Sequence, residues 1–87
     1  MKISVIVPTY NEAENIKKLM IDSVLKDYDY EIIVVDDNSP DGTAEVAKKL
    51  AEQYPVKVLV REKKLGLASA ILYGFTNANG DVLGSKS

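Results

Sequence analysis

The sequence predicts an α/β fold, a Rossmann-like parallel sheet with helices on both of its faces. Three observations predict it. Short β-branched runs alternate along the chain with stretches of helical spacing, the order expected of βα units. The runs are continuously apolar rather than alternating, as in strands buried on both faces. Crossovers between parallel strands are almost always right-handed, which leaves one way to wind these elements together.

Ile3, Ser4, Val5, Ile6 and Val7 form the first run, ended by Pro8, and read as a buried strand. Asn11 offers an N-cap with Glu14 three residues on, a variant of the capping box. Ile16, Leu19, Met20 and Val24 then follow at helical spacing. The second strand is Glu31 to Val35, stopped by the polar cluster Asp36, Asp37, Asn38 and Ser39. Ser39 before Pro40 predicts a second cap with proline in the first helical turn. Val46, Ala47, Leu50, Ala51 and Tyr54 make the apolar stripe of that helix. Val56 to Val60 is a third strand. Leu67, Ile71, Gly74, Phe75 and Ala78 suit a third helix, which Asn79-Gly80 stops. Asp81, Val82 and Leu83 begin a fourth strand, cut off soon after. The pattern is βαβαβαβ, with no repeats, linkers or low-complexity segments.

At 87 residues the chain holds one domain at most. Its 46 % hydrophobic content is enough for a core, and a net charge of −2 provides no basic face for nucleic acid. Cysteine and histidine are both absent, which removes disulfides, zinc–thiolate sites, thiol nucleophiles and Ser–His triads. No apolar run approaches the roughly 18–20 residues of a membrane span, and no signal peptide is visible. The expected compartment is the cytoplasm, with room for work at a membrane surface.

In open parallel sheets, ligands bind beyond the carboxyl ends of the strands, near the reversal of strand order. Those ends carry Pro8, Thr9, Tyr10, Asn11 and Glu12 after the first strand, and Asp36 to Ser39 after the second. The first loop lacks the glycines of a dinucleotide fingerprint. Gly84-Ser85-Lys86-Ser87 only superficially resembles a phosphate-binding loop, because no helix follows it. The loops offer an aromatic ring and carboxylates instead. A nucleoside base can stack on Tyr10, Asp37 can accept from ring N–H and amino donors, and Glu12 from ribose hydroxyls. Each such contact is worth about 1–2 kcal/mol. Composition alone fits plainer readings as well: Asp36-Asp37 as a solvated strand end, Asn11 and Glu14 as helix capping, and Tyr10 as cover for the sheet edge.

The loops together are more specific than any one of them. Val5-Ile6-Val7-Pro8-Thr9-Tyr10-Asn11-Glu12 resembles the opening of inverting glycosyltransferases with the GT-A fold. Val34-Val35-Asp36-Asp37-Asn38-Ser39-Pro40-Asp41-Gly42-Thr43 is similar to their second-strand motif. Arg61-Glu62-Lys63-Lys64-Leu65-Gly66-Leu67, followed by Ala68-Ser69-Ala70, resembles the dolichol- or polyprenyl-phosphate mannosyltransferase branch. The likeness runs from about Met1 to Leu83.

Carried over by position, the resemblance implies that Pro8, Tyr10 and Glu12 shape a donor-nucleotide pocket. Val35 and Asp37 would face the base, guanine if the donor is GDP-mannose, with UDP-sugars the other option. Lys63 and Lys64 are weaker candidates for phosphate attraction. The family continues its fourth strand into an Asp-X-Asp that holds Mg²⁺ or Mn²⁺, and its acceptor is a lipid phosphate that arrives already ionised. Here Gly84-Ser85-Lys86-Ser87 stands in that place and reads as an added tail. The expectation is therefore residues 1–83 as the nucleotide-binding, N-terminal half of a GT-A domain, truncated in its fourth strand, with no metal ligands or catalytic residues and negligible turnover alone. The parent enzyme would sit at the cytoplasmic membrane surface.

Two other readings accompany this one. Ile33 to Asn38 resembles a receiver module, yet the third strand runs into Arg61, Glu62 and Lys63 where a phosphoacceptor aspartate would stand. In the family's sheet order, 3-2-1-4, the fourth strand covers the first, so its truncation would leave Ile3–Val7 poorly covered, and a folding or assembly fragment is expected to self-associate by edge pairing or exchange of terminal segments.

Overall fold

The computed structural model describes residues 2–22, 29–62, 66–80 and 82–85. In chain order they form β1 (Lys2–Thr9), α1 (Ile16–Asp22), β2 (Asp29–Asp36), α2 (Thr43–Leu50), β3 (Val56–Val60), α3 (Leu67–Thr76) and β4 (Val82–Ser85). The strands make one sheet in the order β3-β2-β1-β4, and every pairing is parallel. Reversal of strand order falls at β1, between β2 and β4.

Side-chain alternation divides the core between two faces. Val7, Ile32 and Val34 point to one face and pack with Ile16 of α1 and Ala47 and Leu50 of α2. Ile6, Ile33 and Val35 point to the other and pack with Ala70 of α3. Helices thus cover both faces, as the continuous apolar runs predict. Gly74 lets α3 approach β1 closely, since a Cβ there would stand 2.5 Å from Ile6 Cγ2.

The α3 face is closed at the amino ends of the strands by a buried polar latch. Ser4 and Glu31 are register partners on β1 and β2. The Ser4 hydroxyl donates to Glu31 Oε2 at 2.6 Å, and the Asn79 N–H donates to the same oxygen at 2.8 Å. Gly80 N–H in turn donates to Ser4 Oγ at 2.8 Å. Burial alone would raise the Glu31 carboxyl. The Ser4 and Asn79 hydrogen bonds, with the charges of Lys2 and Lys57, outweigh burial and hold it below its ordinary 4.5.

The structure corrects the expected caps. Asn11 is left-handed, with φ of 55°, and its N–H is donated to Ser39 Oγ, so it caps no helix. The Glu12 carbonyl accepts from Asn15 and Ile16 N–H instead, and regular helix starts at Ile16. Ser39 does not cap α2 either. Its hydroxyl is spent on Asp36, the chain turns through Pro40 and Asp41, and α2 begins at Thr43 after a left-handed Gly42. A left-handed backbone at Asn11 and the Asp36 carboxylate beside Ser39 displace the expected caps.

The predicted open edge at Ile3–Val7 is also corrected. β4 pairs with β1 from Ile3↔Val82 to Ile6↔Ser85, so β1 is flanked on both sides through Ile6. Gly84 and Ser85 lie in that strand. Val24, Lys63, Lys64, Asp81, Lys86 and Ser87 lie outside the described residues.

Candidate functional site

The polar groups gather at the carboxyl ends of β1 and β2, where the adjacent acids Asp36 and Asp37 part company. Both are buried, at 0 % and 6 % exposure, which corrects the solvated-strand-end reading. Alternation sends them to opposite faces of the sheet. Asp36 accepts from its register partner Thr9, from Oγ1 at 2.7 Å, and from the Ser39 hydroxyl at 2.6 Å and N–H at 2.9 Å. Asp37 turns toward α3 and meets Arg61.

That contact is a two-pronged ion pair. Arg61 Nε donates to Asp37 Oδ1 at 2.6 Å and Nη2 to Oδ2 at 2.9 Å. Arg61 Nη1 reaches the Ser69 hydroxyl on α3 at 2.8 Å. Planar guanidinium matches a carboxylate in this fork geometry, fixing orientation as well as charge. A carboxylate has about four acceptor directions, so the fork leaves Asp37 room to accept a ligand N–H.

The loop after β1 is tied to the loop after β2 by three successive N–H groups. Asn11 N–H donates to Ser39 Oγ at 2.8 Å, Glu12 N–H to Thr43 Oγ1 at 2.9 Å, and Ala13 N–H to Asp41 Oδ2 at 3.1 Å. Asp37 N–H adds a bond to the Thr9 carbonyl at 3.2 Å. The Thr43 hydroxyl, chiefly, and the N–H groups of Ala13 and Thr43 hold the Asp41 carboxyl below its ordinary 3.8. Among the described residues no buried side-chain nitrogen or oxygen lacks a partner. The tips are therefore hydrogen-bonded to each other in the absence of any ligand.

The expected site residues fall into two groups. Tyr10, 39 % exposed, Glu12, half-buried, and Asp37 stand on these joined tips. Pro8 and Val35 are register partners one step back, and Val35 is fully buried in the α3-side core. Its side chain is sealed in that core, which corrects the expectation that it faces the base. Arg61 and Ser69 are what the residue-by-residue reading missed. The sequence signal was the chain's lone arginine, placed directly after the β3 run.

Arg61 and Ser69 also line an open hollow of about 570 Å³ between the end of β3 and α3, completed by Val60, Glu62, Leu72, Tyr73 and Thr76. None of the five expected residues lines it. Among the described residues no three His, Cys, Asp or Glu side chains are grouped to hold a metal ion. The donor set of the described residues does not fit a divalent cation.

A parallel sheet with covered faces and an acid-bearing tip at its reversal of strand order defines an α/β protein of the Rossmann type. Residues 4–84 match the family Glycosyl transferase family 2, and the chain belongs to that family. The dolichol-phosphate mannosyltransferase of Pyrococcus furiosus is 56 % identical over 84 residues, covering 94 % of this chain and 24 % of the relative. The dolichol-phosphate mannosyltransferase of Saccharomyces cerevisiae is 44 % identical, covering 95 % and 33 %. The chain thus spans a quarter to a third of the length of these relatives. Among solved structures, the mannosyltransferase PcManGT from Pyrobaculum calidifontis, in complex with GDP-Man and Mn²⁺, matches with TM-score 0.78 and 31 % identity, over 93 % of this chain and 25 % of that one. TarS of S. aureus matches with TM-score 0.84 and 31 % identity, over 99 % and 16 %. The fold is the Rossmann-like part of GT-A glycosyltransferases. No helix among the described residues is long and apolar enough to cross a membrane.

Proposed function

We propose that residues 1–83 are the donor-nucleotide-binding part of an enzyme that transfers mannose from GDP-mannose to a dolichyl or polyprenyl phosphate at the cytoplasmic membrane surface. The observation that carries this reading is the joined pair of strand tips, which holds Tyr10, Glu12 and a pinned Asp37 at one end of the sheet. The 56 % identity with a dolichol-phosphate mannosyltransferase supports the mannosyl branch over other donors.

In this reading each residue has a defined task. The exposed ring of Tyr10 stacks on the base, whose N–H is accepted by Asp37. The Glu12 carboxylate accepts from the ribose hydroxyls, while Pro8 and Val35 hold the backbone of both tips. Little needs to move on binding, because the loop N–H groups are already bonded to Ser39, Asp41 and Thr43. Preorganisation of this kind lowers the ordering cost of binding. In this reading the chain alone binds donor without turning it over.

Calorimetry of the chain with GDP, GDP-mannose and UDP-sugars tests the proposal. Binding of GDP and GDP-mannose in preference to UDP-sugars is expected. If none of these nucleotides binds, the reading is wrong. A mannosyl-transfer assay with polyprenyl phosphate is expected to show no product.

A further inference from the structure

The carboxylate assigned to base recognition does not hold itself in place. Asp37 sits just past the end of β2, where strand geometry no longer dictates its rotamer. Its orientation comes from the Arg61 fork, and Arg61 is itself held from two directions. Arg61 N–H donates to the Asp36 carbonyl at 2.8 Å, extending the β2–β3 ladder by one step. Nη1 donates to the Ser69 hydroxyl at 2.8 Å, and Nη2, already on Asp37, also reaches the Gly66 carbonyl at 3.4 Å. Arg61 is 7 % exposed and Asp37 6 %, so both charges are withdrawn from water and each is confined by the other.

We propose that Arg61 is the positioning residue for Asp37, and that Ser69 on α3 is the anchor that sets Arg61. The proposal rests on the donor-site reading above and adds a specificity element that Asp37 alone does not provide. Arg61 acts through Asp37, by fixing the direction in which the carboxylate presents its unused acceptor sites to a base. A lysine cannot reproduce this, because an ammonium is a point charge without the planar fork. Ser69 acts one step further back. Removing its hydroxyl frees the guanidinium to rotate about the Asp37 contact without removing the ion pair.

The test is a set of affinities measured by calorimetry on the full 87-residue chain, with GDP and with ribose 5-diphosphate, which lacks the base. The variants are D37N, R61K, S69A, S69T and the double variant D37N/R61K. Asp37→Asn should weaken GDP about tenfold, and Arg61→Lys by a similar factor, while ribose 5-diphosphate changes by less than about twofold. On the D37N background, R61K should add less than about twofold, since residues acting as one unit are non-additive. Ser69→Ala, which leaves the ion pair in place and should fold, is expected to weaken GDP about threefold, and Ser69→Thr to restore it.

The outcomes separate cleanly. If D37N weakens GDP but R61K and S69A do not, the donor site stands and the positioning role is overturned. If R61K and S69A weaken both ligands alike, the arginine serves the fold and the proposal also fails. Absence of GDP binding by the unaltered chain overturns the donor-site reading and this proposal together.

Discussion

The two ends of this sheet each bury a carboxylate on the α3 face, and they use it in opposite ways. At the amino ends, Glu31 takes neutral donors from Ser4 and Asn79, and the network closes on itself through Gly80. At the carboxyl ends, Asp37 is gripped by a guanidinium that leads outward to α3, beside an exposed Tyr10 and a half-buried Glu12. The first arrangement closes on the backbone of residues 79 and 80 and fastens the α3–β4 connection to the sheet. The second leaves acceptor capacity and an aromatic face at a surface. Burial of an acid is common to both, so burial alone does not mark a site. What differs is the partner: neutral donors at one end, and at the other a guanidinium that α3 also holds.

Breaking the ion pair should produce the largest effect. Replacing Arg61 by Met leaves Asp37 buried and unpaired, which costs about 3–5 kcal/mol in comparable cases. Urea denaturation should show the midpoint collapsing, and a second change, Asp37→Leu, should recover much of the loss. Retention of full stability by R61M would show that Asp37 is aimed by something else.

At the opposite end, Gly80→Ala forces a Cβ against Ser4 Oγ and the Ser4 and Lys2 backbone. Overpacking of this kind costs about 1–3 kcal/mol. Thermal melts should register it, while the affinity for GDP of the folded protein stays unchanged. A loss of affinity would mean that the two ends are coupled.

Asp37→Asn is the complementary change. It should weaken GDP binding by about 1.4 kcal/mol, a factor of ten, since it removes a charged acceptor. Conversely, Glu31→Gln should leave nucleotide binding alone.

The smallest expected effect sharpens the comparison by pH. The Glu31 carboxyl is held below its ordinary 4.5 in the folded chain, so the unfolded chain binds more protons as pH falls through that region. The stabilisation is complete above pH 4.5 and is lost as pH drops below it. Urea midpoints measured between pH 6 and pH 3 should therefore fall less steeply for Glu31→Gln than for the parent chain. Equal slopes would place the acid sensitivity elsewhere, Asp41 being the next candidate because it is lowered in the same direction.

Much of this molecule was legible in its residues. β3 runs from Val56 to Val60, where the apolar run lies, and α3 from Leu67 to Thr76 ends short of Asn79-Gly80. Those elements are written by short-range pattern, and nothing distant contests them. The starts of α1 and α2 were misread for the converse reason. Asn11 and Ser39 have good capping chemistry, but Asn11 adopts a left-handed backbone, and the Ser39 hydroxyl donates to Asp36 and accepts the Asn11 N–H across a gap of 28 residues. A polar side chain near two competing partners goes where the tertiary arrangement delivers the better geometry, and no local window contains that information.

Sequence by itself determined the strand and helix alternation, the parallel sheet and the family. Strand continuity and motif spacing are properties of neighbouring residues, and they survive without the fold. Only the tertiary structure decided that Asp36 and Asp37 part to opposite faces, and that Asp37 finds an arginine 24 positions along the chain. That meeting depends on β2 and β3 lying side by side in register, with Asp36 opposite Val60. Arg61 then comes one step past the ladder and within reach of α3.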